Sequence, residues 1–249
     1  MHHPELQKLK LPIHPVRIIR NFFFYLGLVP ATILFTVLGL TFFFLPFQPR
    51  YYIITLWSHF FIFWAKVTCG LRYKVHGLEH LKPLPPAALV FSNHQSMWET
   101  IFFQVLFPPQ SWILKKELLS IPVFGWGLAL LEPVAIDRKH FHSVKALITQ
   151  GKKRLEANRW VIIFPEGTRV APNAHRKYSR SGAALAEATQ YPIIPVAHNA
   201  GKFWPRGFFV KRSGTIQVFI GPLIDTKGKT STEINEEVET WIRAKVKDL

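Results

Sequence analysis

Ala88-Leu-Val-Phe-Ser-Asn-His-Gln-Ser-Met-Trp-Glu-Thr100 is the stretch on which the fold turns. The run Ala87 to Phe91 is short and continuously apolar, which fits a strand covered on both faces of a sheet. Met97 to Leu106 is largely apolar and stops at Pro108-Pro109, so it reads as a helix with a sharp end. Between the two lies a polar turn that presents His94 ahead of Glu99. Their spacing rotates a helix by a net ~140°, so the two cannot share one helical face. They can meet only if His94 lies in the loop and Glu99 in the first turn of the helix. Ser96-x-x-Glu99 supplies that geometry as a capping box, with Ser96 at the N-cap and Glu99 at N3. Spacing alone leaves Glu99 as either a cap or the orienting partner of a histidine base.

Outward from this stretch, strands and helices alternate. Arg72 to His76 reads as an entry strand, and Pro83 to Pro86 as a rigid turn into Ala87. Ser111 to Leu114 and Pro133 to Asp137 are further short strands, the second feeding Arg138. Ser143 opens a helix with Val144, Leu147, Ile148 and Leu155 on one face and Lys145, Lys152, Lys153 and Arg154 on the other. Trp160 to Phe164 is the clearest buried strand, and it delivers Pro165-Glu166-Gly167-Thr168-Arg169 into a turn. Glycine there lets backbone approach a ligand, and arginine offers a planar fork matched to phosphate. Glu166 is placed to orient that arginine. Ala183 to Thr189 follows as a helix, then Ile193 to Ala197 and Thr215 to Ile220 as strands. Thr232 to Lys247 closes the chain as an amphipathic helix, acidic early and basic late as a helix dipole favours. The pattern predicts an α/β fold with a mixed, largely parallel sheet flanked by helices.

Three segments, Asn93-His94-x4-Glu99, Val134-Ala-Ile-Asp-Arg138 and Ile162-Ile-Phe-Pro-Glu-Gly-Thr-Arg169, resemble in order and spacing the motifs of the glycerolipid acyltransferase family. Its bacterial 1-acylglycerol-3-phosphate branch is the most similar, and the resemblance runs from about Val75 to Ile220. Phe-Pro-Glu-Gly-Thr-Arg is its most specific part. One departure stands out: the family usually places Asp where this chain has Glu99. The resemblance implies His94 as catalytic base and Glu99 as its partner. It also implies substrate binding by Lys115, Arg138, Glu166, Gly167, Thr168 and Arg169, with Lys115, Arg138 and Arg169 on the glycerol phosphate. Ile193-Ile-Pro-Val-Ala197 is similar to the family's fourth motif. The implied donor is an acyl thioester of coenzyme A or acyl carrier protein, the acceptor lysophosphatidic acid, and no metal or cofactor is called for.

Lys and Arg number 31 against 15 Asp and Glu, giving +16. Such an excess suits nucleic acid or an anionic membrane surface. Hydrophobic content of 49% and 22 Phe favour the membrane. No helix-turn-helix, zinc or RNA-binding signature accompanies the charge, so no nucleic-acid partner is expected. The single Cys69 excludes an internal disulfide and a Cys-based zinc site, and fits a reducing compartment. A serine hydrolase would need a Gly-x-Ser-x-Gly elbow and a zinc protease a His-Glu-x-x-His helix, and neither is present.

Phe22 to Phe47 runs without a charge and is long enough to cross a ~30 Å hydrocarbon core. Pro30 and Gly39 would bend it. Tyr51 to Ala65, bounded by Arg50 and Lys66, is short for a span. Either the first segment spans and the second lies at the interface, or the two form a hairpin in one leaflet. The resemblance favours a pair of N-terminal membrane helices. The expected organisation is a membrane-associated segment over residues 1–70 and an α/β acyltransferase domain over 71–249. Because acyl donors are cytoplasmic, the domain is expected on the cytoplasmic face, at a bacterial inner membrane. Another acceptor, glycerol 3-phosphate or a lyso-aminolipid, stays open, as does a non-catalytic binder of anionic lipid.

Overall fold

A computed structural model describes residues 15–82, 85–136, 143–207 and 211–249. Two long helices come first: α1 (Pro15–Thr41) and α2 (Phe47–Cys69). Strands β1 (Leu71–His76) and β2 (Leu89–Ser92) precede α3 (Trp98–Leu106), then β3 (Gln110–Lys115), α4 (Phe124–Ala129) and β4 (Val134–Ile136). The chain continues through α5 (Ser143–Glu156), β5 (Trp160–Ile163), α6 (Ser181–Thr189), β6 (Ile193–His198), α7 (Ala200–Phe203), β7 (Gly214–Ile220) and α8 (Ser231–Lys247). The expected rigid turn over Pro83 to Pro86 and the strand end at Asp137-Arg138 fall partly or wholly outside the described residues.

The seven strands form one sheet in the order β1-β7-β6-β2-β5-β3-β4. Every neighbouring pair is parallel except β6 with β7. This is the mixed, largely parallel sheet the sequence predicts. All four residues of β2 and of β5 are buried, which follows from helices on both faces of a parallel sheet. One face packs on α1, α2 and α3 through Phe24, Phe61, Trp98, Phe102 and Phe103. The other packs on α5, α6 and α8 through Leu147, Leu155, Leu185, Ile234 and Val238. Each fully buried aromatic or Leu side chain contributes roughly 1.5–3 kcal/mol of transfer free energy. Val144, expected on the buried face of α5, is 41% exposed; it sits in the first turn, before the helix settles on the sheet.

Both N-terminal helices differ in extent from the sequence reading. α1 starts earlier and takes in Arg17 and Arg20, ending at Thr41 rather than Phe47. α2 runs on both sides of its expected limits, absorbing Arg50 and Lys66, and Gly70 ends it in the left-handed conformation. Long basic side chains can reach out from an otherwise apolar helix, so charge does not mark its end. Both helices are long and apolar enough to cross a membrane. The buried residues of α1, Asn21, Phe24, Leu28, Thr36 and Gly39, follow helical spacing along its length. Its opposite side exposes Phe22, Leu26, Val29, Ile33, Val37 and Leu40.

At the far end of the sheet, Glu132 gathers three arginines. Arg50 reaches it at 2.7 Å, Arg159 at 2.9 Å and Arg154 at 3.3 Å. Arg154 is therefore not a merely solvated charge on α5. The clasp ties the start of α2 to the strands at the end opposite the site.

Candidate active site

Parallel strands deliver their C-terminal ends to one edge, where open α/β sheets bind ligands. Register sets what meets there. Phe91 pairs with Ile163, so three residues beyond that pair His94 and Glu166 come level. Trp112 pairs with Ile162, which brings Lys115 level with Pro165. His94, Glu166, Arg169 and Lys115 thus belong to one rim, while Arg138 lies outside the described residues.

His94 Nδ1 lies 2.9 Å from Glu99 Oε1. The same oxygen accepts the Gln95 and Ser96 N–H groups, each at 2.8 Å. α3 begins one residue later than expected, at Trp98, and Ser96 Oγ accepts from the Trp98 N–H at 3.2 Å. The capping box is therefore replaced by a tighter turn in which Glu99 still returns to the Ser96 N–H. Cap and orienter are the same oxygen. Glu99 is fully buried and its Oε2 has no hydrogen-bond partner among the described residues. Burial alone would raise its carboxyl, but the polar N–H edge of His198, the His94 ring N–H and the Ser96 N–H outweigh it and hold the group below the usual carboxylate range. An ionised Glu99 fixes Nδ1 as the protonated nitrogen of a neutral His94, which leaves Nε2 as the free base. The imidazole stacks on Phe164 with ring centres 4.3 Å apart.

The Phe164–Arg169 turn wraps the same loop. Gly167 has φ +69, a conformation that suits glycine, and its N–H closes on Phe164 O at 2.9 Å. Glu166 does not turn to Arg169 as the sequence suggests: its Oε2 accepts the His94 N–H at 2.9 Å. Strand register, invisible in the sequence, decides that contact. Burial, with Glu99 nearby, pushes Glu166 up to about 7. Arg169 is half-buried; burial and the neighbouring Arg206 lower its affinity for a proton, and Glu99 opposes them. Two guanidiniums so placed suit an anion. Lys115 is exposed at the end of β3.

The family model described as Acyltransferase matches residues 72–199. The chain is 43% identical over 235 residues to a 1-acyl-sn-glycerol-3-phosphate acyltransferase of Pseudomonas aeruginosa, covering 91% of this chain and 90% of that protein. The chain belongs to the acyltransferase family. A human relative named 1-acyl-sn-glycerol-3-phosphate acyltransferase beta is 29% identical over 70% of this chain and 64% of its own length. The fold is shared with the crystal structure of the 1-acyl-sn-glycerophosphate (LPA) acyltransferase of Thermotoga maritima, at TM-score 0.79 and 21% identity, covering 93% of this chain and 95% of that one.

This acyltransferase also holds a residue at the site that the sequence reading passes over. His198 ends β6, fully buried, with Nε2 2.8 Å from Asn93 O and 3.9 Å from Glu99 Oε1. Its Nδ1 accepts the Ala200 N–H at 3.2 Å, so the proton sits on Nε2 and the ring is neutral. Burial lowers its pKa in the same sense. The Asn93 side chain bonds the His198 backbone at both ends, 2.9 and 3.0 Å. The only sequence signal was its place at the end of the fourth motif's strand. Behind the loop lies a cavity of about 580 Å³ whose walls include Asn93, Gln95, Glu166, Tyr178, His198 and Arg243.

Proposed function

We propose that this enzyme transfers a fatty acyl group from an acyl thioester to the sn-2 hydroxyl of 1-acyl-sn-glycerol 3-phosphate, giving phosphatidic acid. The observation that carries the reading is the 2.9 Å contact between His94 Nδ1 and the buried Glu99. With Nδ1–H held by the carboxylate, Nε2 takes the hydroxyl proton as the oxygen attacks the thioester carbonyl. Glu99 steadies the imidazolium that forms. As the tetrahedral intermediate collapses, the C–S bond breaks and the thiolate leaves with the proton that His94 took. Arg169 and Lys115, with Arg138 as a further candidate, bind the acceptor's phosphate. Gly167 and Thr168 shape the turn beneath it, and Glu166 supports the base through its backbone.

The acceptor is a membrane lipid, and α1 with α2 carries the domain to it. Because one side of α1 is buried from Asn21 to Gly39 against α2, α4 and Trp204, the helix pair lies against the bilayer with its outer apolar side inserted rather than crossing it. The domain faces the cytoplasm, at the inner membrane of a bacterium, where coenzyme A and acyl carrier protein thioesters are found. Purified protein offered lyso-acceptors with each thioester should acylate 1-acylglycerol 3-phosphate in preference to glycerol 3-phosphate and lyso-aminolipids. Preference for another acceptor would overturn the assignment, and the two donor series would identify the thioester.

A further inference from the structure

Between β3 and β4 the chain leaves its apolar residues in solvent. Leu118 is 38% exposed, Ile121 43%, Phe124 37% and Trp126 52%. Single exposed apolar residues are ordinary; a cluster of four in one short segment is a surface. The segment is held from below. Gly125 lies under Leu119, where an added Cβ would come 2.4 Å from the Leu119 carbonyl oxygen. Val123, at φ 63, spends backbone strain to start α4. The side chains facing outward are thus presented by a fixed frame.

Two neighbours say what covers this surface. On one side it packs against α1: a Cβ added at Gly127 would meet Thr36 and one added at Gly39 would meet Leu130, so its exposed residues lie beside α1, whose other side is apolar and exposed. On the other it reaches the site, because it begins at Lys115, which stands level with Pro165 of the site's turn. Exposed Lys115 and Lys116 border it, against a single Glu117. Apolar residues with a tryptophan and a basic edge fit the boundary of an anionic bilayer.

We propose that residues 115–129 form a second membrane contact, separate from α1 and α2, that seats the mouth of the active site on an anionic lipid surface. The acceptor then reaches His94 by lateral movement within the leaflet, without first dissolving in water. This rests on the membrane-attached reading of α1 and α2 and not on the identity of the acceptor.

The test uses the full chain. A Trp126→Cys variant is labelled with an environment-sensitive fluorophore on the folded protein, where Cys69 is only 2% exposed. A Glu156→Cys variant, on α5 across the sheet, is the control. On vesicles of phosphatidylglycerol and phosphatidylcholine containing bromolipids, the label at 126 should be quenched and that at 156 should not. Vesicle-bound protein quenched at neither position, or equally at both, overturns the contact. Lys116→Glu should reduce quenching at 126 on the anionic vesicles and leave it unchanged on phosphatidylcholine alone; an equal response on both removes the charge from the proposal. Finally, Phe124→Ser with Trp126→Ser should raise KM for a bilayer-borne lyso-acceptor about tenfold while leaving the rate on a short-chain soluble acceptor within about twofold. Equal loss on both acceptors overturns delivery from the leaflet. Should no lyso-acceptor be acylated at all, the proposed function fails while the quenching still decides the contact.

Discussion

Glu166 holds His94 by its backbone: Oε2 accepts the His94 N–H at 2.9 Å, across the gap between β5 and β2. The next turn completes the grip, with the Val170 N–H donating to His94 O at 2.7 Å. Both peptide groups flanking the base are therefore fixed by the segment that carries Arg169. Phosphate contact and proton transfer share one rigid turn, so a shift in either moves both.

The first prediction concerns Glu166, whose carboxyl is raised from 4.5 to about 7, chiefly by burial. A carboxyl raised on folding means the native state binds more protons than the unfolded one between these values. Its contribution is present below about pH 4.5 and is lost as pH rises through about 7. Glu166→Gln removes the titration and keeps an acceptor for the His94 N–H. Melting curves from about pH 5 to pH 8 should show the wild type losing more stability with rising pH than the variant. Parallel curves would mean that Glu166 does not titrate in this range.

Arg169 tests the phosphate assignment. Arg169→Ala should cost roughly 2 kcal/mol or more in kcat/KM for the acceptor, as expected for a charged hydrogen-bond partner. Lysine should not restore it fully, because it keeps the charge and loses the fork. An alanine variant with unchanged acceptor KM and kcat would return Arg169 to a structural role.

His198 separates packing from orientation. Its Nε2–H fixes Asn93 O, one peptide before the base. His198→Phe fills the space and removes the donor, so kcat should fall about tenfold or more with little change in KM. His198→Gln, which can still donate, should recover part of the loss. If both variants fold and turn over as wild type does, the loop is held without His198.

Much of the architecture was legible because it rests on local pattern. Leu89–Phe91 and Trp160–Ile163 are apolar throughout since both faces of those strands are covered, and the sheet class follows. Helix limits were less so: Arg50 and Lys66 look like boundaries in the sequence, yet both lie inside α2, Arg50 with its side chain turned to Glu132 and Lys66 with its long side chain reaching off the apolar surface. Within the site, the His94–Glu99 meeting was readable because five positions and a loop decide it. What escaped depends on register between strands far apart in the chain. Glu166 was expected to face Arg169 three residues on, but the pairing of β2 with β5 sets it beside His94 instead. His198 entered the site only through the pairing of β6 with β2.

The last prediction decides the base and its partner. His94→Ala should remove nearly all turnover while folding and membrane association persist, since the ring is a loop side chain stacked on one face only. Glu99 is harder, because the oxygen that meets Nδ1 also accepts two backbone N–H groups. Glu99→Gln keeps an oxygen for those donors but is neutral. If Glu99 serves only as a cap, the glutamine variant should be nearly silent in stability and in turnover. If it holds the imidazolium, turnover should fall on the order of 100-fold or more while the melting temperature moves far less. Glu99→Asp restores the residue usual in the family and keeps the charge, but shortens the reach by one methylene. It should retain more activity than Gln, because charge matters more to the imidazolium than a small change in distance. Steady-state kinetics on the three variants, each beside its melting curve, separates the two roles. A glutamine variant with wild-type turnover would end the His94–Glu99 mechanism for this enzyme.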